Sequence, residues 1–158
     1  LPMLLRMAVH GALDLVRAAV SGSAQYVPIV GHPGELGAMS SADAWDGCMR
    51  LVSSSFDNRV AARITLLLPQ FRPVEQAAQV RCPALLQLCE KDCVAPVSAA
   101  ERAAARMPRA EVVRYPVGHF DVYVGADFER SVSDQLAFLR KHLSASPTAD
   151  PARAQQRC

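Results

Sequence analysis

Apolar residues recur at helical spacing near the start of the chain. In the run MLLRMAVHGALDLVRAAV, residues 3–20, one stripe holds Leu4, Leu5, Ala8, Val9, Ala12, Leu13, Val16 and Val20. Arg6, His10, Asp14 and Arg17 fall on the other face. The pattern predicts an amphipathic helix, whose apolar stripe ordinarily turns to the core and whose polar stripe turns outward. Gly11 costs that helix about 1 kcal/mol relative to alanine. Periodicity then lapses. Gly22, Pro28, Gly31, Pro33, Gly34 and Gly37 mark residues 21–40 as loop, with 26–30 as a short extended piece. A second helix is expected over 41–53, with Ser40 or Ser41 as N-cap and Asp43 in the first turn. Asp57 or Asn58 would cap a third over 59–68, RVAARITLLL, which Pro69 ends. Pro73 suits the first turn of a short helix through Gln79.

The pattern changes at residue 80. Residues 84–89, ALLQLC, form a continuous rather than alternating apolar run, which suits a strand buried on both faces. A helix over 97–107 follows and Pro108 stops it; residues 110–115, AEVVRY, read as a second strand closed by Pro116. Strand, helix and strand within about 35 residues make a βαβ unit, whose strands run parallel. Residues 127–143 complete the series as an amphipathic helix with Phe128, Val132, Leu136, Leu139 and Leu143 on its apolar side. From Ser144 the chain is small, polar and Pro-containing, the composition of a disordered tail. The fold class is therefore α/β.

Composition narrows the function without naming it. Of 158 residues, 51% are hydrophobic and 20% charged, as in an ordinary globular domain. The net charge of +2, with scattered basic residues, gives no electrostatic footprint for nucleic acid. No apolar stretch approaches the roughly 20 residues of a membrane span. The cysteines, Cys48, Cys82, Cys89, Cys93 and Cys158, are odd in number and irregular in spacing, which is not a disulfide framework and fits a reducing, cytoplasmic compartment. They also lack the paired spacing of a zinc site. No signal peptide is discernible. The chain starts at Leu1 rather than a methionine, as a truncated or processed product would, although Met3 is a possible start.

Two residues carry candidate chemistry. Asp92 follows the first strand of the βαβ unit and His119 follows the second, in Val117-Gly118-His119-Phe120-Asp121. Parallel strands send their carboxyl ends to one edge, where ligand sites of open α/β sheets lie. Topology thus brings together an aspartate that can orient an imidazole and a histidine that can act as general base. Glu90 and Asp121 are competing acids; Asp121 is better suited to bracing its own loop. Asp92 as a plain turn or cap residue is the bland alternative. His10 reads as surface, and His32 as either a turn or a cleft residue. Trp45, Phe56, Met39 and Met49 suit an acyl pocket or ordinary packing equally well.

These segments resemble a known family. CPALLQLCEKDCVAP, residues 82–96, is similar to the acid loop of α/β-hydrolases, with Cys89 where the family usually has glycine. RAEVVRYPVGHFDVYVG, residues 109–125, is similar to their last strand and histidine loop, and the helix ending FLRKHL to their C-terminal helix. The resemblance implies residues 1–79 as a helical cap or lid, 80–143 as the C-terminal part of the core and 144–158 as a tail. It implies Asp92 and His119 as triad acid and histidine, with no cofactor and no metal. The nucleophile elbow G-x-S-x-G is missing: none of the 8 glycines is followed by x-Ser or x-Cys. The resemblance therefore implies the C-terminal portion of an esterase-like serine hydrolase, inactive alone. Its partners would be a small acyl substrate and the N-terminal half of the fold. A non-catalytic interaction module, self-associating through open sheet edges, is the alternative.

Overall fold

A computed structural model describes residues 3–143, so the expected tail, 144–158, lies outside the described residues. The architecture is mixed α/β. Helix α1 spans Met3–Ser21 and is followed by a two-residue strand β1, Tyr26–Val27. Helix α2 spans Ala44–Met49, shorter than the sequence suggests, and strand β2 spans Val60–Ala61. Helix α3, Ile64–Leu67, leads through 3₁₀ turns at Leu68–Gln70 and Pro73–Gln79 into strand β3, Ala84–Cys89. Helix α4, Val97–Arg106, strand β4, Ala110–Tyr115, a 3₁₀ turn at Asp121–Tyr123 and helix α5, Gly125–Leu143, complete the order.

β3 and β4 pair in parallel, in register from Ala84 opposite Ala110 to Cys89 opposite Tyr115. The α4 crossover between them makes the expected βαβ unit. α5 is tied to this sheet by polar groups as well as apolar ones. Gln87, on β3, donates to the Tyr115 hydroxyl at 2.7 Å and to the Ser131 carbonyl at 2.9 Å, and Tyr115 donates to Asp134 at 2.7 Å. Tyr115 is fully buried, and burial followed by the Asp134 bond pushes its hydroxyl pKa up to about 12.

The structure corrects three expectations. Residues 59–68 are not one helix: Val60 and Ala61 pair antiparallel with Val27 and Tyr26, and only Ile64–Leu67 is α-helical. β-branched Val60 suits the pairing, and the backbone N–H of Ala62 donates to the Gln25 carbonyl to extend it. Residues 1–79, expected as a helical cap, therefore contain a small antiparallel pair. Second, α1 faces the opposite way from its apolar stripe. Its buried residues are Met7, Gly11 and Asp14, while Leu4, Leu13, Val16 and Val20 are exposed, Leu4 by 85%. Asp14, assigned to the outward stripe, has a relative exposure of 0%. Its carboxylate accepts from the Gln25 N–H at 2.6 Å, the Arg63 N–H at 2.8 Å and the Arg63 guanidinium at 2.7 and 3.2 Å. A carboxylate so fully bonded can be buried, and it anchors this face of the helix inward. Gly11 permits the approach, because a Cβ there would lie 2.8 Å from both Leu66 and Thr65 side-chain atoms.

Third, β3 is not buried on both faces: only Leu88 and Cys89, at its carboxyl end, are buried. The other apolar residues of the strand are half-buried.

Candidate active site

The carboxyl ends of β3 and β4 lie side by side, and two backbone hydrogen bonds lace their loops together. The Glu90 N–H donates to the Tyr115 carbonyl at 2.8 Å and the Lys91 N–H to the Val117 carbonyl at 3.0 Å. The first loop then turns at Asp92, whose Oδ1 accepts the Val94 and Ala95 N–H groups at 2.8 and 2.7 Å. These bonds hold the carboxylate with Oδ2 directed at the second loop. Oδ2 lies 2.7 Å from His119 Nδ1, across 27 positions of sequence. Asp92 is thus both the turn residue of the bland reading and the partner of His119.

The two side chains remain partly accessible, at 12% for Asp92 and 29% for His119. Burial pushes the Asp92 carboxyl up, but the Ala95 N–H, the His119 imidazole and the Val94 N–H outweigh it, so its pKa is lowered. Asp92 is therefore an anion at neutral pH. No hydrogen bond within the described residues occupies His119 Nε2. Both residues border a cavity of about 660 Å³ that runs beside β3 between α4 and α5, lined in part by Leu88, Val97, Phe128 and Val132.

The competing acids sit elsewhere. Glu90 is exposed and makes no side-chain bond to the histidine. Asp121 Oδ2 accepts the Gly118 N–H at 2.9 Å, bracing its own loop, and Oδ1 accepts from Arg50 at 3.0 Å. Phe120 is buried and rests on the backbone of α2: a Cβ on Gly47 would overlap its ring. Arg50 and Gly47 are contributors the sequence did not reveal. Their partners are some 70 positions away, and a glycine inside a short helix was the only hint. Met39, Trp45, Met49 and Phe56 pack on the buried cluster of Val30, Ala44, Cys48 and Phe120, so core packing accounts for them. His32 stacks on Trp45 with ring centroids 4.6 Å apart, and the Gln25 side chain pairs with His10 at 2.8 Å. Neither histidine belongs to the Asp92–His119 pair.

Cys89 lines the cavity, and burial followed by the Asp92 charge pushes its thiol pKa up, away from thiolate. Among the described residues no group of three His, Cys, Asp or Glu side chains could hold a metal ion. No described helix is long and apolar enough to cross a membrane.

Known structures share this arrangement of elements. DcsB, solved in complex with its substrate analogue, matches with a TM-score of 0.70 at 18% identity, over 89% of this chain and 51% of DcsB. A monoacylglycerol lipase from Paleococcus ferrophilus matches with a TM-score of 0.59 at 14% identity, over 85% of this chain and 52% of the lipase. These likenesses show the α/β-hydrolase fold. No family model matches it. By sequence it is 33% identical over 130 residues to the quorum-quenching protein AidA of Acinetobacter baumannii (strain MDR-ZJ06), across 81% of this chain and 43% of AidA. It is 34% identical over 77 residues to an uncharacterised 31.7 kDa protein from the traX-finO intergenic region of Escherichia coli, across 47% of this chain and 27% of that protein. The matched stretch is thus about half of each α/β-hydrolase structure and less than half of each curated relative.

Proposed function

We infer that this chain is the cap and C-terminal core of a serine hydrolase acting on an ester or similar acyl substrate. The observation that carries the reading is the 2.7 Å contact between Asp92 Oδ2 and His119 Nδ1 at the carboxyl ends of two parallel strands. With the Nδ1 proton donated to Asp92, Nε2 is the basic nitrogen. It would take the proton of a serine hydroxyl as that oxygen attacks the acyl carbonyl, then pass it to the leaving alcohol. Asp92 stabilises the imidazolium formed between the two transfers. Water would repeat the cycle to release the acid. The serine and the oxyanion hole would come from outside these residues, since the chain holds no G-x-S-x-G.

The cavity beside β3 supports a missing structural partner. It is bordered by α4 on one side and α5 on the other, and by no residue of β4. That is the position of a further strand against β3. The part of the fold N-terminal to these residues is the partner we assign to it. The similarity to AidA adds quorum-signalling molecules to the acyl substrates for assay.

The test is ester hydrolysis. The 158-residue chain alone should turn over a p-nitrophenyl ester no faster than buffer. Joined to an upstream segment that carries a nucleophile elbow, it should gain activity that Asp92→Asn lowers about ten-thousand-fold. Turnover by the isolated chain that His119→Ala abolishes would place the nucleophile within these residues and sink the reading as stated. The alternative, a non-catalytic interaction module, draws on the open β3 edge and the exposed α1 stripe; it expects an oligomer that binds no acyl substrate even when the upstream segment is present.

A further inference from the structure

The histidine loop is fastened from three directions, and only one fastening comes from the acid loop. The second is Phe120, seated on the α2 backbone at Gly47 and edge-on to the His119 ring with centroids 4.8 Å apart. The third is the Asp121 carboxylate. One of its oxygens accepts the N–H of Gly118, the residue before His119, and the other accepts from Arg50 at the C-terminal end of α2. The turn also closes on itself, with the Asp121 N–H donating to the Gly118 carbonyl at 3.3 Å.

We propose that Asp121 is a positioning residue for His119, and that Arg50 makes this positioning depend on how the α2 segment is seated. The proposal rests on the acid–base reading of Asp92 and His119 given above. A hydrogen bond of 2.7 Å tolerates little displacement of either partner. Asp92 is held by two backbone N–H groups, so its location is set by its own loop. His119 has no such side-chain anchor besides Asp92, and its backbone must be delivered to the right place. Asp121 does this by fixing the peptide immediately before it. The carboxylate is available for the task because Arg50, and then the Gly118 N–H, lower its pKa and keep it ionised. Other charges facing the loop are Asp92 and Lys91 from the acid loop and Asp43 from the start of α2, whose Oδ2 lies 3.5 Å from where a Gly118 Cβ would be. Arg50 and Asp121 are half exposed, so their ion pair contributes little to stability. Its value lies in orientation.

The test is nuclear magnetic resonance of the 158-residue chain with ¹⁵N-labelled histidine, reading the Nδ1 proton of His119 and its rate of exchange with solvent. In the wild type this proton is expected at low field and lost with Asp92→Asn. Asp121→Asn keeps an oxygen for the Gly118 N–H but turns its NH2 towards Arg50, so it should preserve the signal while quickening exchange as Arg50→Ala does. Asp121→Ala removes both contacts, and exchange should quicken about tenfold or the signal vanish, as for loss of a charge-assisted bond. Arg50→Ala should shift exchange in the same direction and Arg50→Lys restore it. A folded Asp121→Ala chain with unchanged exchange would overturn the proposal. If that variant does not fold, unchanged exchange in Arg50→Ala would overturn the link to α2, and a lost signal in a folded Asp121→Asn would show that charge, not positioning, is what Asp121 supplies. A wild-type signal that survives Asp92→Asn would instead bring down the acid–base reading itself.

Discussion

Asp14 is an ionisable group whose properties folding changes strongly. The Arg63 guanidinium lowers its carboxyl pKa from the ordinary 3.8 to about 2, against the opposing effect of burial and with help from the Gln25 and Arg63 N–H groups. A carboxyl pKa depressed by folding contributes stability that is fully present above the ordinary value and is lost as pH falls toward the folded one. The chain should therefore lose stability between about pH 4 and pH 2. Asp92 and Asp121, also lowered, add to the same slope. Urea unfolding at a series of pH values checks this: Asp14→Asn should unfold more easily at neutral pH and show a shallower acid slope. None of this was legible in the sequence. Asp14 and Arg63 lie 49 positions apart, and a charge at helical spacing from Arg6, His10 and Arg17 reads as part of a solvated stripe. Asp92 and His119 were legible because strand topology, not side-chain chemistry, brings them together.

At the scale of elements, two glycines act as contact surfaces. Gly11 lies against α3, where Thr65 also donates to the Met7 and Ala62 carbonyls and cannot easily withdraw. Gly11→Ala should thus destabilise by about 1–3 kcal/mol, although alanine is the better helix former by about 1 kcal/mol. Chemical denaturation distinguishes the two effects by sign. Gly47→Ala should be at least as damaging, because the added methyl meets the buried Phe120 ring, and it should broaden the His119 resonances as the ring is unseated. The elements from β3 onward match their sequence signals closely because each is bounded by proline or a turn and is long enough for its period to show: Pro83, Pro96, Pro108 and Pro116 punctuate them. Residues 59–68 had a helix-like apolar run, yet Val60 and Ala61 pair with a strand more than 30 positions earlier. Local periodicity cannot register a pairing of that range.

For the molecule as a whole, the apolar surface is unevenly distributed. Leu13 and Val16 on α1, with Leu136 and Leu139 on α5, are each 44–62% exposed. The amphipathic stripes of both helices were read correctly as stripes, but the side they present could not be known without the rest of the fold. Leu13→Glu with Val16→Lys should leave the circular dichroism spectrum unchanged and reduce concentration-dependent association, measured by sedimentation velocity. A chain that stays monomeric with wild-type α1 would show that this surface is benign.

The edge of β3 that no described strand covers also sets a schedule. ALLQLC carries no charge, no proline and no bulge, the usual means by which a strand discourages unwanted pairing. Such a segment, once extended, pairs with whatever compatible backbone arrives first. The upstream neighbour proposed above, if already made during synthesis, would outcompete other copies. If it came later or at low concentration, aggregation would win. On the reading proposed above, the yield of soluble protein would depend on the order in which segments emerge as well as on final stability.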